Sequence, residues 1–153
     1  MSQRIFKSIF FVALVVFALS VLLIMGFLYG YFSDVQKTQL QMQTELAAQG
    51  VNLDGESYFD GLEADDYRVT WISQDGTVLY DNYSDENSME NHLKREEVRD
   101  ALEHGFGESE RKSVTLEERA LYAAQKLEDG TIIRLSIAQS SILTLILGML
   151  QPM

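Results

Sequence analysis

Between Lys7 and Asp34 the chain carries no charged residue, and Ile9 to Leu28 is an almost unbroken run of Ile, Phe, Val, Leu, Ala and Met, interrupted only by Ser20 and Gly26. A bilayer's hydrocarbon core is ~30 Å thick and takes about 20 apolar helical residues to cross at ~1.5 Å each. This run is long enough. Backbone groups in hydrocarbon must bond within their own segment, so the spacing predicts an α-helix over 9–32. Tyr29, Tyr31 and Phe32 stand at its far end, where an interfacial aromatic belt is expected.

Flanking charge sets the expected orientation. Arg4 and Lys7 precede the run, and no acid does. All 23 acids follow it, with ten of the twelve bases, so residues 33–136 carry a net charge of −13 in a chain of −11. A positive flank stays in the cytoplasm, which predicts residues 1–8 inside and the acidic part outside. Ala18-Leu19-Ser20 could be the cleavage site of a signal peptide. The apolar run continues well past it, so an uncleaved anchor is expected.

Composition removes several function classes. A strongly acidic chain is repelled by polyphosphate, so no nucleic-acid partner is expected. With no Cys there is no disulfide framework, thiol nucleophile or thiolate zinc site. The only histidines, His92 and His104, fall in no H-E-x-x-H, and there is neither a G-x-S-x-G nor a P-loop. No enzyme activity and no cofactor are expected of this chain. The acids Asp81, Asp85, Glu86 and Glu90 lack the spacing and the glycine of an EF-hand and read as a solvated loop.

At the other end Arg134 is the last charge, and Leu135 to Met153 is uncharged. Ile142 to Leu150 is membrane-like but too short to span. Residues 137–153 are expected to begin a second membrane helix, truncated in this sequence; the alternative is an apolar helix packed on the soluble domain.

Residues 33–136 suit one compact domain. Asp34 to Gln49 reads as a helix continuous with the span, with Val35, Met42 and Leu46 on one face, Leu40 and Ala47 flanking it, and Gly50 as its stop. Its Gln-rich surface suits a homodimer seam, and a helix lying on its own domain is the competing reading. Residues 51–66 read as a loop with a helical turn. Tyr67–Ser73 and Thr77–Asp81 form a hairpin about Asp75-Gly76. Asn91 or His92 is the expected cap of a helix ending at His104, with Val98, Ala101 and Leu102 buried and Gly105 as the stop. Strands are expected at Ser109–Thr115, Ala120–Leu127 and Thr131–Ile137. Helices gathered on one side of an antiparallel five-stranded sheet give an α+β fold, and two strands, a helical crossover and a three-strand meander is the PAS/Cache sensor pattern.

Several stretches then resemble the extracellular sensor region of phosphate-regulon-type (PhoR-like) membrane sensor histidine kinases. These are Arg68-Val-Thr-Trp-Ile72 with Asp75-Gly-Thr-Val-Leu-Tyr-Asp81; Met89-Glu-Asn-His92 followed by Arg95, Glu97 and Val98; Arg111, Ser113 and Thr115; Tyr122-Ala123 with Asp129-Gly130 and Arg134; and Leu147-Gly-Met-Leu-Gln-Pro152. Their order and spacing carry the resemblance, which covers nearly the whole chain. There is no HAMP-like linker, phospho-accepting His or nucleotide-binding glycine box. The resemblance therefore implies the sensing half alone. The parent would be an ATP-dependent protein-histidine kinase acting on a cytoplasmic response regulator. An unknown small ligand or an envelope protein would be the stimulus. The same ectodomain could instead serve a chemoreceptor, a cyclase or a stand-alone envelope binding protein.

Two residue sets are candidates for ligand binding or signalling. His92 and Arg95, with Asn91 and Glu97, open the central helix, where an anion would be favoured; a helix cap with salt bridges is the alternative. Arg68, Arg111 and Arg134 lie on strands with Tyr80 and Tyr122 nearby, and pairing with Asp/Glu competes with ligand binding.

Overall fold

The computed structural model describes residues 2–62, 67–112 and 119–139, with the side chains of Ser2, Lys112, Arg119 and Gln139 left aside. Two compact units result, Met1–Gln36 and Lys37–Met153.

The first unit is helical. Helix α1 runs over Ser2–Asp54 and is long and apolar enough to cross a membrane. None of its apolar window is buried within the protein. Ser8 and Ser20 donate their hydroxyls to the carbonyls of Arg4 and Val16. Polar side chains in the run thus find partners inside the helix.

The second unit is an α+β arrangement. Its strands are β1 (Arg68–Ile72), β2 (Val78–Asp81), β3 (Phe106–Lys112), β4 (Arg119–Lys126) and β5 (Ile132–Gln139), and helix α2 (Glu96–His104) joins β2 to β3. The five strands form one antiparallel sheet in the order β2-β1-β5-β4-β3. The expected strand Ser109–Thr115 begins three residues earlier than its reading, at Phe106, and its last three residues lie outside the described residues, as does the tail from 140 onward.

Strand alternation sorts the core into two halves. Val69, Leu121, Ala123, Ile133 and Leu135 pack with Leu40, Ala47, Ala48 and Val51 of α1. The alternate residues Ile72, Ala124 and Ile132 pack with Val98 and Ala101 of α2. The helices therefore lie on opposite faces, not on one side as the element order suggested. A period-2 strand that is apolar on both faces needs a cover on each.

Three local expectations are corrected. Gly50 does not end α1, which continues to Asp54 and a 3₁₀ turn over Gly55–Phe59. A Cβ at Gly50 would overlap the Tyr58 ring, so this glycine serves close approach and not chain reversal. The buried stripe of α1 is Leu40, Thr44, Ala47, Ala48 and Val51, while Met42 and Leu46 of the expected face are 52% and 58% exposed. Thr44 fits the stripe because its hydroxyl donates 2.7 Å to the Leu40 carbonyl. Finally, α2 starts at Glu96, after extended Arg95, which gives no side-chain cap. Asn91 instead donates to the Asp75 carbonyl and receives the Leu93 N–H, and His92 N–H bonds the Gly76 carbonyl. The first hairpin claims both residues before the helix can.

The far end of α2 follows its sequence: Gly105 takes a left-handed φ of 89° and returns its N–H to Ala101. Two residues on, Gly107 faces the helix, and a Cβ there would run into the Glu97 carbonyl. Without a side chain at 107, α2 sits close on β3. That approach lets a side chain from its first turn reach across the sheet.

Candidate functional site

The side chain that reaches across is Glu97, fully buried in the first turn of α2. On the sheet face below it lie Ser109 and Arg111 of β3, Tyr122 of β4 and Arg134 of β5. The register places Ser109 and Ser136 directly opposite Tyr122 and sets Arg111 and Arg134 one diagonal step away on either side.

Glu97 ties these together. Its Oε1 accepts from Arg134 Nε at 2.9 Å. Its Oε2 accepts from Ser109 Oγ at 2.6 Å and from the Arg111 guanidinium. Both arginines then stack on the Tyr122 ring, 4.7 Å and 4.6 Å from its centroid. Burial alone would raise the Glu97 carboxyl. The Ser109 hydrogen bond, Arg134, its own backbone N–H and Arg111 outweigh burial and hold it below the usual carboxylate range. Burial lowers the Arg134 guanidinium against the pull of Glu97, but an arginine has ample margin to stay cationic at neutral pH.

A second knot lies at the other end of the same face. Arg68 Nε reaches Asp81 Oδ2 at 3.0 Å, and Thr70 Oγ1 donates to the same oxygen at 2.8 Å. Asp81 Oδ1 accepts the N–H groups of Tyr83 and Ser84 at 2.9 and 3.0 Å. Burial pushes the Asp81 carboxyl up, and these partners, Arg68 first, bring it below its ordinary value. Asp81 thus leaves the solvated acidic loop to which its sequence position assigned it, while Asp85, Glu86 and Glu90 remain exposed.

His92 is buried near both knots. Its Nδ1 lies 2.6 Å from the Glu90 carbonyl, so that nitrogen carries the proton and donates it. Burial depresses its proton affinity, the Glu90 carbonyl opposes this, and Arg134, Arg95 and Arg68 depress it further.

The structure therefore brings Arg111, Tyr122 and Arg134 together, sets His92 within the field of Arg134, Arg95 and Arg68, and pairs Arg68 with Asp81 and both Arg111 and Arg134 with Glu97. Tyr80 is on the opposite face, stacked 4.2 Å from Phe59. Ser109 and Thr70 completed the knots without a sequence signal beyond strand parity. Among the described residues no group of three His, Asp or Glu is placed to hold a metal ion.

A cavity of about 280 Å³ lies against the β3–β4 pair, over Leu40, Leu121 and Ala123, with Glu96, Glu108 and Glu110 about it. No protein-family model matches the chain, and no curated protein matches it.

Proposed function

We propose that this chain is the sensing and membrane-signalling region of a PhoR-like two-component sensor histidine kinase. In this reading residues 1–8 are cytoplasmic, 9–32 span the membrane, 33–136 form an extracytoplasmic PAS/Cache-like sensor, and the apolar tail opens a second span. The observation that carries it is the length of α1. One helix, Ser2–Asp54, holds both the apolar run and the residues from Leu40 to Val51 that pack on the sheet. At the other end β5 runs to Gln139, and the apolar sequence Ile142–Leu150 follows within three residues.

Such connectivity leaves little slack between sensor packing and membrane segments. A stimulus, whether a small ligand or an envelope protein, shifts the balance between two packings by its differential affinity for them. The internal pairing of Arg68, Arg111 and Arg134 favours a stimulus that alters packing over a free anion entering that face. Val35, Met42, Leu46 and Leu53, alternating four and seven residues apart on α1, supply an apolar stripe for a second copy, and the last three are exposed. The parent kinase would phosphorylate a cytoplasmic response regulator.

The Cys-free chain makes the orientation directly testable. Asp85→Cys should react with a membrane-impermeant maleimide on intact cells, and Ser2→Cys only after permeabilisation; the reverse pattern overturns the reading. Fused to the cytoplasmic half of a PhoR-like kinase, the region should regulate autophosphorylation. A Gly/Ser insertion after Ala138 should abolish that regulation, and an insertion without effect removes the proposed coupling.

A further inference from the structure

We propose that His92 is the trigger of an acid-sensitive latch: a proton taken up by its ring releases residues 89–95 from the turn of the first hairpin. The latch belongs to the domain itself and does not depend on the signalling reading above. His92 is 5% exposed and sits where the segment meets that turn. Its N–H donates to the Gly76 carbonyl at 2.8 Å, and its own carbonyl accepts the Arg95 N–H at 2.9 Å. One residue thus ties the hairpin turn to the residue that precedes α2. The joint is tight, since a Cβ on Gly76 would overlap Asn91 Oδ1 and the Leu93 nitrogen.

The ring fits this joint only when neutral. Nδ1–H donates to the Glu90 carbonyl, and Nε2 has no hydrogen-bond partner among the described residues. An empty lone pair costs less there than a buried, charged N–H without an acceptor. The neighbours offer a proton no counter-charge. Arg134 of β5, Arg68 of β1 and Arg95 of the segment itself all act on the ring as cations. The buried carboxylates among the described residues are Glu97 of α2 and Asp81 of β2. Glu97 is engaged by Arg134, Arg111 and Ser109, and Asp81 by Arg68, Thr70 and two backbone N–H groups. Glu90 gives the ring its carbonyl and is itself exposed. Arg95 makes no ion pair among the described residues. An imidazolium would be one more cation where the anions are already taken. Opening the joint gives the ring to water, so the bound proton and the closed joint exclude one another, in the mildly acidic range where histidine titrates.

The test is amide hydrogen exchange of the full chain in zwitterionic detergent micelles. It is read by mass spectrometry at about pH 7.5 and about pH 5 and scaled to the intrinsic exchange rate at each pH. One proton taken up on opening shifts the equilibrium by at most about tenfold per pH unit below ~6.5. Protection over residues 89–95 should therefore fall about ten- to thirtyfold, and should stay below that of β4 and β5 at both pH values. His92→Gln, which keeps a donor for the Glu90 carbonyl but does not titrate, should lose the response. His104→Gln, at an exposed position, should keep it. Arg95→Gln removes a cation that acts on the ring and should move the response toward higher pH, a shift that a merely structural His92 would not show. Should His92→Gln not fold, the Arg95→Gln shift decides alone. The proposal is overturned if protection over 89–95 ignores pH, if the response persists in His92→Gln, or if Arg95→Gln leaves it in place. Equal protection of the segment and of β4 and β5 at about pH 5 overturns it as well, since that marks unfolding of the whole domain.

Discussion

Replacing Glu97 with Gln keeps the volume of the buried side chain and removes the charge that holds two arginines. Removing one partner of a buried ion pair costs about 3–5 kcal/mol, because the other charge is left without compensation. Here the two arginines differ. The Arg111 side chain is 29% exposed and can recover water, whereas that of Arg134 is 6% exposed and cannot. The loss should therefore fall near the lower end, about 3 kcal/mol. For a unit of this size each kcal/mol moves the midpoint by roughly 4–8 °C, so Tm should drop by about 12–24 °C. Trp71, the single tryptophan, reports it well: it packs on the α1 face of the sheet, 5.5 Å from the Phe59 ring, away from the substitution. Thermal and urea unfolding of the full chain in micelles, followed by its fluorescence, gives the comparison. Adding Arg134→Met should restore much of the loss, since an apolar side chain in place of the orphaned charge is close to neutral. A Glu97→Gln protein within ~1 kcal/mol of the parent would refute the account of Glu97 as the tie between α2 and the sheet, as would a double variant whose losses simply add.

Three further outcomes follow from the same face. His92 has its proton affinity depressed in the folded state, so the unfolded chain binds the extra proton first; its contribution is complete above the unfolded value of ~6.5 and declines as pH falls below it. Stability should drop between pH 7 and 5 and lose that slope in His92→Gln, whereas Glu97 and Asp81, with lowered carboxyls, make their losses at more acidic pH, below about 4.5. Gly107→Val should destabilise by roughly 1–3 kcal/mol or more through overpacking against the Glu97 carbonyl, measured by urea midpoint. Tyr122→Phe should keep both arginine contacts and lie near the parent, while Tyr122→Leu should lose about 1–2 kcal/mol over the two, read in the same denaturation series.

The sequence was most legible where one physical requirement dominated. The charge-free run dictated a helix, Asp75-Gly76 a hairpin, and Gly105 a helix end, and each lies where its chemistry put it. It was least legible where two requirements competed for one residue. Gly50 looked like a stop because glycine is poor in helices, yet it answers to the Tyr58 ring eight residues away. Asn91 and His92 looked like caps because of their neighbours in sequence, yet the turn of the first hairpin holds them. The arginines on alternate strand positions were visible as a set, but their partners were not, since Asp81 and Glu97 reach them only through strand pairing and the close seat of α2.

The borders of the sheet have one more consequence. Strand β2 breaks its register opposite Trp71 and Ile72, and Leu79 is the extra residue that bends it. At the opposite border β3 carries the exposed carboxylates of Glu108 and Glu110. Molecules crowded side by side would be drawn toward continuous ribbons if either border were flat and uncharged. A kink at one margin and charged side chains at the other both oppose such zippering.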